Sequence, residues 1–377
     1  MRRFRVQLAC LALVAVLCAP AKPASVAQAV PAAQSHTAFA AEVDQLSEPG
    51  GDFGGDNLIS NEQSYLHVIP ALEQAHVQSG AYIGVGPDQN FSYIATIHPT
   101  VAYIIDIRRD NLLLQLLFKA LFATTKTRIE YLCGLTGRAP PDHPETWHEA
   151  SIEKLVTYID ATRPLSDPAR SALRARLDAE MRRTGVSFSA ADWDTIAAFH
   201  SQFIDRGLSL VFQVRGRGIS DYYPTLRQLL LETDRQGRQR NYLATDAAFE
   251  VVRTLEAHDL VVPVVGDVSG PHALRAIGAR MRLQGQILSA FYISNVEFYL
   301  YRDGRFPAYV DNLQQLPRDD RSTMIRSVFP AGFAGRPPQN VPGYYSTSLV
   351  QPLPVMLADL AAGRYHGYVD LVYASSR

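Results

Sequence analysis

The stretch Ala81-Tyr82-Ile83-Gly84-Val85-Gly86-Pro87-Asp88-Gln89-Asn90, followed by Val101-Ala102-Tyr103-Ile104-Ile105-Asp106-Ile107, decides the fold. It opens with a short apolar run that stops in glycines. Asp88 to Ile97 then continues at helical spacing, with Phe91, Ile94 and Ala95 on one face. The second run is almost wholly apolar, the mark of a strand buried on both faces. With a helix over Asn111 to Thr124, the order is strand, glycine turn, helix, strand, helix. That is a βαβ unit, and a right-handed crossover makes its two strands parallel.

Upstream, Leu58, Tyr65, Leu66, Ile69 and Leu72 recur at helical spacing between Asn57 and Ala75, in a segment that Pro70 kinks or divides. Residues 30–55, rich in Ala, Ser and Gly and ending in Pro49-Gly50-Gly51 and Gly54-Gly55, read as a linker, with structure beginning near Asp56. Downstream the alternation pauses over 128–242. Helix starts at Ser166-Asp167-Pro168 and Ser189-Ala190-Ala191-Asp192 make this a helical insertion. The rhythm then resumes with a helix Thr245 to His258, a strand Leu260 to Val265, a helix Pro271 to Gln284 and a strand Ile287 to Ser294. A Pro- and Gly-rich stretch after Pro330 leads to a short helix from Val355 to Ala362. The expected architecture is an α/β, Rossmann-like, mostly parallel sheet over 56–127 and 243–377, interrupted by the insertion.

Arg2, Arg3 and Arg5 precede an uncharged apolar run from Val6 to Ala19, the layout of a secretory signal over residues 1–29, with cleavage expected after Ala29 in Ala27-Gln28-Ala29. A spanning helix needs about 20 apolar residues; Pro20, Lys22 and Pro23 interrupt this run first. Export, to a periplasm-like compartment, is therefore expected, with an uncleaved N-terminal anchor as the alternative. Removing these residues takes away four cations and no acid, so the formal charge moves from -1 to -5. A mildly acidic chain without a basic run carries no electrostatic footprint for nucleic acid. No second long apolar stretch calls for membrane insertion after cleavage. Cys10 and Cys18 fall in the leader, which leaves Cys133, read as a small buried hydrophobe.

The candidate chemistry sits at strand ends. Glycines after the first strand let a ligand approach the backbone, and Asp106, ending the next strand, can accept hydrogen bonds from both ribose hydroxyls of a nucleoside. A diphosphate is disfavoured, because Gln89 stands where the dinucleotide pattern needs glycine and Asp88 occupies the helix start, where its charge repels phosphate. A zwitterion carrying an ammonium group suits Asp88 better. Asn61, Glu62 and Tyr65 precede the first strand, either as part of a ligand lid or as an ordinary helix cap. His143, Glu145, His148 and Glu149 lack the i, i+4 spacing that sets two histidines on one helical face, so no metal is expected. His200 shares a face with Trp193, Ile196 and Phe203 and reads as a core histidine, while Arg108, Arg109 and Asp110 read as the solvated start of a helix.

Gly84, Gly86 and Asp106, with Gly266-Asp267 and Ile293-Ser294-Asn295 at the following strand ends, resemble a class I S-adenosylmethionine (SAM)-dependent methyltransferase. The resemblance covers residues 80–126 and 244–300. It implies that Gly84 and Gly86 pass the methionine part of SAM, that Asp106 binds ribose, that Asp267 contacts adenine, and that Ser294 and Asn295 face the acceptor. Asp88 and Asn90 complete the expected cofactor-binding set, and no catalytic residue is assigned. Tyr82 stands where the family carries an acid, and Asp88 where it has a third glycine. The same positions, with Leu46-Ser47-Glu48-Pro49-Gly50-Gly51, Asn57-Leu58-Ile59-Ser60-Asn61-Glu62 and Ile105-Asp106-Ile107-Arg108-Arg109, also resemble an uncharacterised bacterial family of methyltransferase-like proteins. Site and address conflict, since SAM is made inside the cell. Three expectations follow: a degenerate fold serving as an exported, non-catalytic binding or structural module, an anchored domain that stays inside, or a different nucleoside-like ligand.

Overall fold

The computed structural model describes residues 36–216, 220–329 and 336–375. The expected signal sequence and the cleavage expected after Ala29 fall outside the described residues. Six strands form one sheet: β1 Ala81–Gly84, β2 Val101–Asp106, β3 Val261–Val265, β4 Leu288–Ser294, β5 Arg318–Val328 and β6 Thr347–Pro352. Their order is β3-β2-β1-β4-β5-β6. Every pairing from β3 to β5 is parallel, and only β6 runs antiparallel to its neighbour. The expected βαβ unit is present, with the helix Gln89–Ile97 joining β1 to β2. Parallel strands must return by crossovers, so helices cover both faces and the central strands carry almost no polar side chains. All four residues of β1 and all five of β3 are buried.

Helices Gln89–Ile97, Arg109–Thr124 and Asp246–Ala257 pack on one another and against β2 and β3, while His36–Leu46, Ala273–Leu283 and Phe306–Gln314 form a second group. The β2-to-β3 connection holds the insertion. Among the described residues of 128–242 the sheet gains no strand, and helices Asp167–Arg183 and Ala190–Arg206 pack on Arg109–Thr124. The divided segment around Pro70 is a 3-10 turn, Gln63–Val68, running into a short helix, Ile69–Gln74, with the proline in its first turn, where no amide donor is needed.

Two expectations need correction. The stretch read as a linker over 30–55 carries the helix His36–Leu46, because Phe39, Val43 and Leu46 share one face and enter the core. After it, Glu48 N donates to Val265 O (2.9 Å) and Gly51 N to Ile107 O (2.7 Å), so residues 47–51 form a strap across the ends of β3 and β2. β5 and β6 were not visible in the sequence pattern. Arg326, in the middle of β5, is fully buried, where Glu297 (2.6 Å) and Gln351 (2.8 Å) receive its guanidinium.

Candidate functional site

The turn after β1 is built around Asn90. Its Nδ2 donates to Val85 O (3.0 Å) and Pro87 O (2.7 Å), and its Oδ1 accepts from the Tyr82 hydroxyl (2.8 Å). A Cβ on Gly84 would overlap Asn90 Oδ1, so this glycine is required by the packing of the turn itself. Gly86 is required by its backbone, at φ +83°, a region open chiefly to glycine. Asp88 points inward and accepts from the Tyr242 hydroxyl (3.3 Å), and burial pushes its pKa up to about 6.

Above this turn, at the C-terminal ends of β1, β2, β3 and β4, opens a crevice of about 860 Å³. Gly86, Asp106, Asp267, Ser294 and Asn295, five of the eight residues expected to bind cofactor, line it together. Gly84, Asp88 and Asn90 do not. They lie beneath the turn they hold in place. Gln89, Ser60 and Asn61 also line the crevice, as do the aromatic side chains of Phe53, Tyr299, Phe212 and Tyr345. Phe53 and Tyr299 meet edge to face with ring centres 5.5 Å apart.

Asp106 is already engaged within the protein. Arg108 donates its backbone N (2.9 Å) and Nε (3.1 Å) to Oδ1 and an Nη to Oδ2 (3.1 Å). The other Nη of Arg108 reaches Gly55 O (3.0 Å) and Asp56 O (3.2 Å). Arg108 therefore ties residues 55 and 56 to the site and is buried, against the expectation of a solvated helix start. Asp110 is exposed in the first turn, as expected, and Arg109 matches in part, half-exposed and paired with Asp192 at 2.9 Å. A carboxylate offers about four lone-pair positions. Arg108 fills three of them, which leaves room for one ligand hydroxyl where two were expected.

Asp267 is engaged as well. Its Oδ1 accepts from Ser269 N (2.8 Å) and Oγ (2.7 Å), and Oδ2 pairs with Arg305 (2.6 Å). Glu48, carried by the strap, accepts from Asp267 N (2.8 Å) and His272 N (3.1 Å), supplying from a distance the acceptor that the helix Ala273–Leu283 lacks at its own start.

Of the three residues read as a ligand lid or a helix cap, Glu62 has a place that neither reading gave it. Ser60 and Asn61 face the crevice, but Glu62 turns inward and accepts from the hydroxyls of Tyr292, Ser294 and Ser327, the last at 2.5 Å. Burial raises its pKa against the pull of those hydroxyls. Tyr65 also turns inward, donating to Leu229 O (2.9 Å), so only part of the expected lid faces the crevice. Nothing in Asn61-Glu62 separates a buried acid from a surface cap. The signal lay in the serines and tyrosine of β4 and β5, too far along the chain to connect with it.

The remaining clusters lie elsewhere. His143, Glu145 and His148 are exposed side chains, and among the described residues no group of three or more His, Cys, Asp or Glu is placed to hold a metal ion. His200 is buried against Gly134 O (2.9 Å), and burial lowers its pKa to about 4. Cys133 is buried, its thiol pushed up to about 12. Among the described residues no helix is long and apolar enough to cross a membrane.

Fold and site together define a doubly wound α/β protein with a ligand-sized crevice where the strand order reverses. The chain belongs to the family described as a domain of unknown function (DUF7790), whose model matches residues 58–186 and 197–374. No curated protein matches the chain.

Proposed function

We propose that this protein binds a nucleoside-type small molecule in the crevice above Gly86, on a fold of the class I methyltransferase type, with SAM as the first ligand to test. One observation carries the reading. The strand-end residues Gly86, Asp106, Asp267, Ser294 and Asn295 converge on one crevice of about 860 Å³ beside β1 and β4, where strand order reverses. Open α/β sheets bind ligands at that switch point. The order β3-β2-β1-β4-β5 with an antiparallel edge strand also resembles that of the methyltransferase fold. Gly86 would lie against the ligand backbone, Asp106 would accept one ribose hydroxyl, and Asp267 and Asn295 would offer polar contacts to the base and the acceptor side. SAM would supply an electrophilic methyl group.

A second reading, an exported module that binds without catalysis, is favoured by the pairing of Asp106 with Arg108 and of Asp267 with Arg305. Isothermal titration of the purified protein with SAM, its demethylated product and adenosine tests both. Saturable binding of SAM and its product below about 100 μM supports the first reading. Adenosine binding alone favours a different nucleoside ligand and the binding module. No heat with any of the three sinks the nucleoside reading.

A further inference from the structure

Behind the crevice wall lies a carboxylate that meets no counter-ion among the described residues. Glu62 is 1 % exposed, and its side-chain partners are three hydroxyls, those of Tyr292, Ser294 and Ser327. The titratable groups whose charge it influences are the phenols of Tyr82, Tyr93, Tyr292 and Tyr368, which carry no positive charge in any state. Among the described residues no Lys, Arg or His pairs with it. A buried carboxylate in such a place either keeps its proton or awaits a cation.

Two further observations point to the crevice side. Gln89 lines the crevice, is 6 % exposed and donates its Nε2 to the Tyr292 hydroxyl (3.0 Å), yet its Oε1 has no hydrogen-bond partner. Buried acceptors are rarely left so. Ser294, the hydroxyl standing between Glu62 and the crevice, holds a left-handed backbone at φ +56° that a non-glycine residue adopts at a cost. Gln89, Tyr292, Glu62 and Ser294 form one hydrogen-bonded set, rich in acceptors and closed on its inner side.

We propose that this corner of the crevice binds an organic ammonium group, a cationic nitrogen bearing N–H, with Gln89 Oε1 and Ser294 Oγ as acceptors and Glu62 as the counter-charge behind them. Glu62 holds its proton in the empty crevice. When an ammonium ion enters, the carboxyl gives that proton to solvent and the carboxylate remains opposite the cation. A neutral amine instead takes the proton from Glu62, and no proton is released. From Ser327 a file of buried hydroxyls continues through Ser348 (3.2 Å), Ser64 (3.1 Å) and Ser346 (2.9 Å). Asp88, the acid that the sequence offered to a ligand ammonium, is turned away under the turn, and Glu62 takes that role from a different part of the chain. The inference rests on the crevice being a small-molecule site and not on the ligand being a nucleoside.

The test uses the full chain with n-butylammonium and its neutral counterpart n-butanol, measured by titration calorimetry near neutral pH in two buffers of different ionisation heat. The ammonium should bind at least about tenfold tighter than the alcohol, with release of close to one proton per site. Glu62→Gln should abolish that preference, and Gln89→Met should weaken it severalfold while leaving the fold intact. Should Glu62→Gln fail to fold, infrared spectroscopy of the parent and of Gln89→Met decides: the carbonyl band of a buried protonated carboxyl must disappear when butylammonium saturates the parent. Equal affinity for ammonium and alcohol, or a preference that survives Glu62→Gln, overturns the proposal, as does a carboxyl band indifferent to the ammonium. Adenosine, titrated in parallel, separates the two readings. If it fails to bind while butylammonium binds through Glu62, the nucleoside reading falls and this one stands; the reverse result removes only this one.

Discussion

Asp106→Ala should destabilise the protein even with no ligand present. The substitution removes both carboxylate oxygens from Arg108 and leaves the guanidinium 4 % exposed with only the carbonyls of Gly55 and Asp56. Removing one partner of a buried ion pair costs about 3 to 5 kcal/mol, because the other charge stays buried and uncompensated. Asp106 keeps 10 % of its side-chain surface in contact with solvent, so the lower end applies, about 3 kcal/mol. For a chain of this size that corresponds to a fall of about 4 °C in Tm. Thermal melting and urea denaturation of Asp106→Ala, Arg108→Ala and the double variant measure it. The double variant should cost clearly less than the sum of the singles, with a coupling energy of about 2 kcal/mol. A loss below about 0.5 kcal/mol for Asp106→Ala would refute the reasoning. The carboxylate would then be hydrated and fully available to a ligand.

Gly84→Ala should cost about 2 to 3 kcal/mol, since its Cβ would displace Asn90 from the groups it holds; denaturant unfolding that leaves the midpoint unmoved would contradict this. Glu48→Ala removes acceptors from two backbone amides and should lower stability by about 1 to 2 kcal/mol, visible in a melting curve. Asp88 titrates near 6 in the folded protein against 3.8 in the unfolded chain. Its raised value favours the protonated native state, so its contribution is fully present below about pH 4 and is lost as pH rises through about 6. Asp88→Asn should therefore raise stability near neutral pH by up to about 2 kcal/mol, and its advantage over the parent should shrink as pH falls through that window. A constant difference between the two proteins across the window would count against a titrating Asp88.

What the sequence made legible follows from the geometry of parallel strands. Gly86, Asp106, Asp267, Ser294 and Asn295 each stand at or just past a strand's C-terminal end, and a parallel sheet brings such ends to one edge whatever lies between them. Gly84, Asp88 and Asn90 share the same stretch, yet the direction of each side chain depends on the turn, and Asn90 folds back to lace it. Spacing does not encode that. β5 was hidden by its own polarity: Ser322, Arg326 and Ser327 are buried through side-chain partners found only after folding. The helix His36–Leu46 was readable in Phe39, Val43 and Leu46, but its small, polar neighbours gave the whole segment the composition of a linker. Glu62 was legible only as a lid or cap residue, since its burial depends on β4 and β5, more than half the chain away.

The strap over the ends of β2 and β3 also sets an order of events in folding. Ser47 Oγ accepts from Val265 N across 218 residues, and β1 finds its neighbour β4 only after a comparable length of chain. Contacts so distant in sequence are slow to close, because the loop entropy must be met before they contribute anything. Local helices of the insertion can form early, whereas the crevice, whose walls come from residues just after the strap and from the ends of β1, β2, β3 and β4 together, is among the last parts of the molecule to exist. A ligand for it can stabilise the finished protein and slow its unfolding, but cannot guide the chain there: added to a refolding mixture, it should leave the folding rate unchanged and lengthen only the lifetime of the native state.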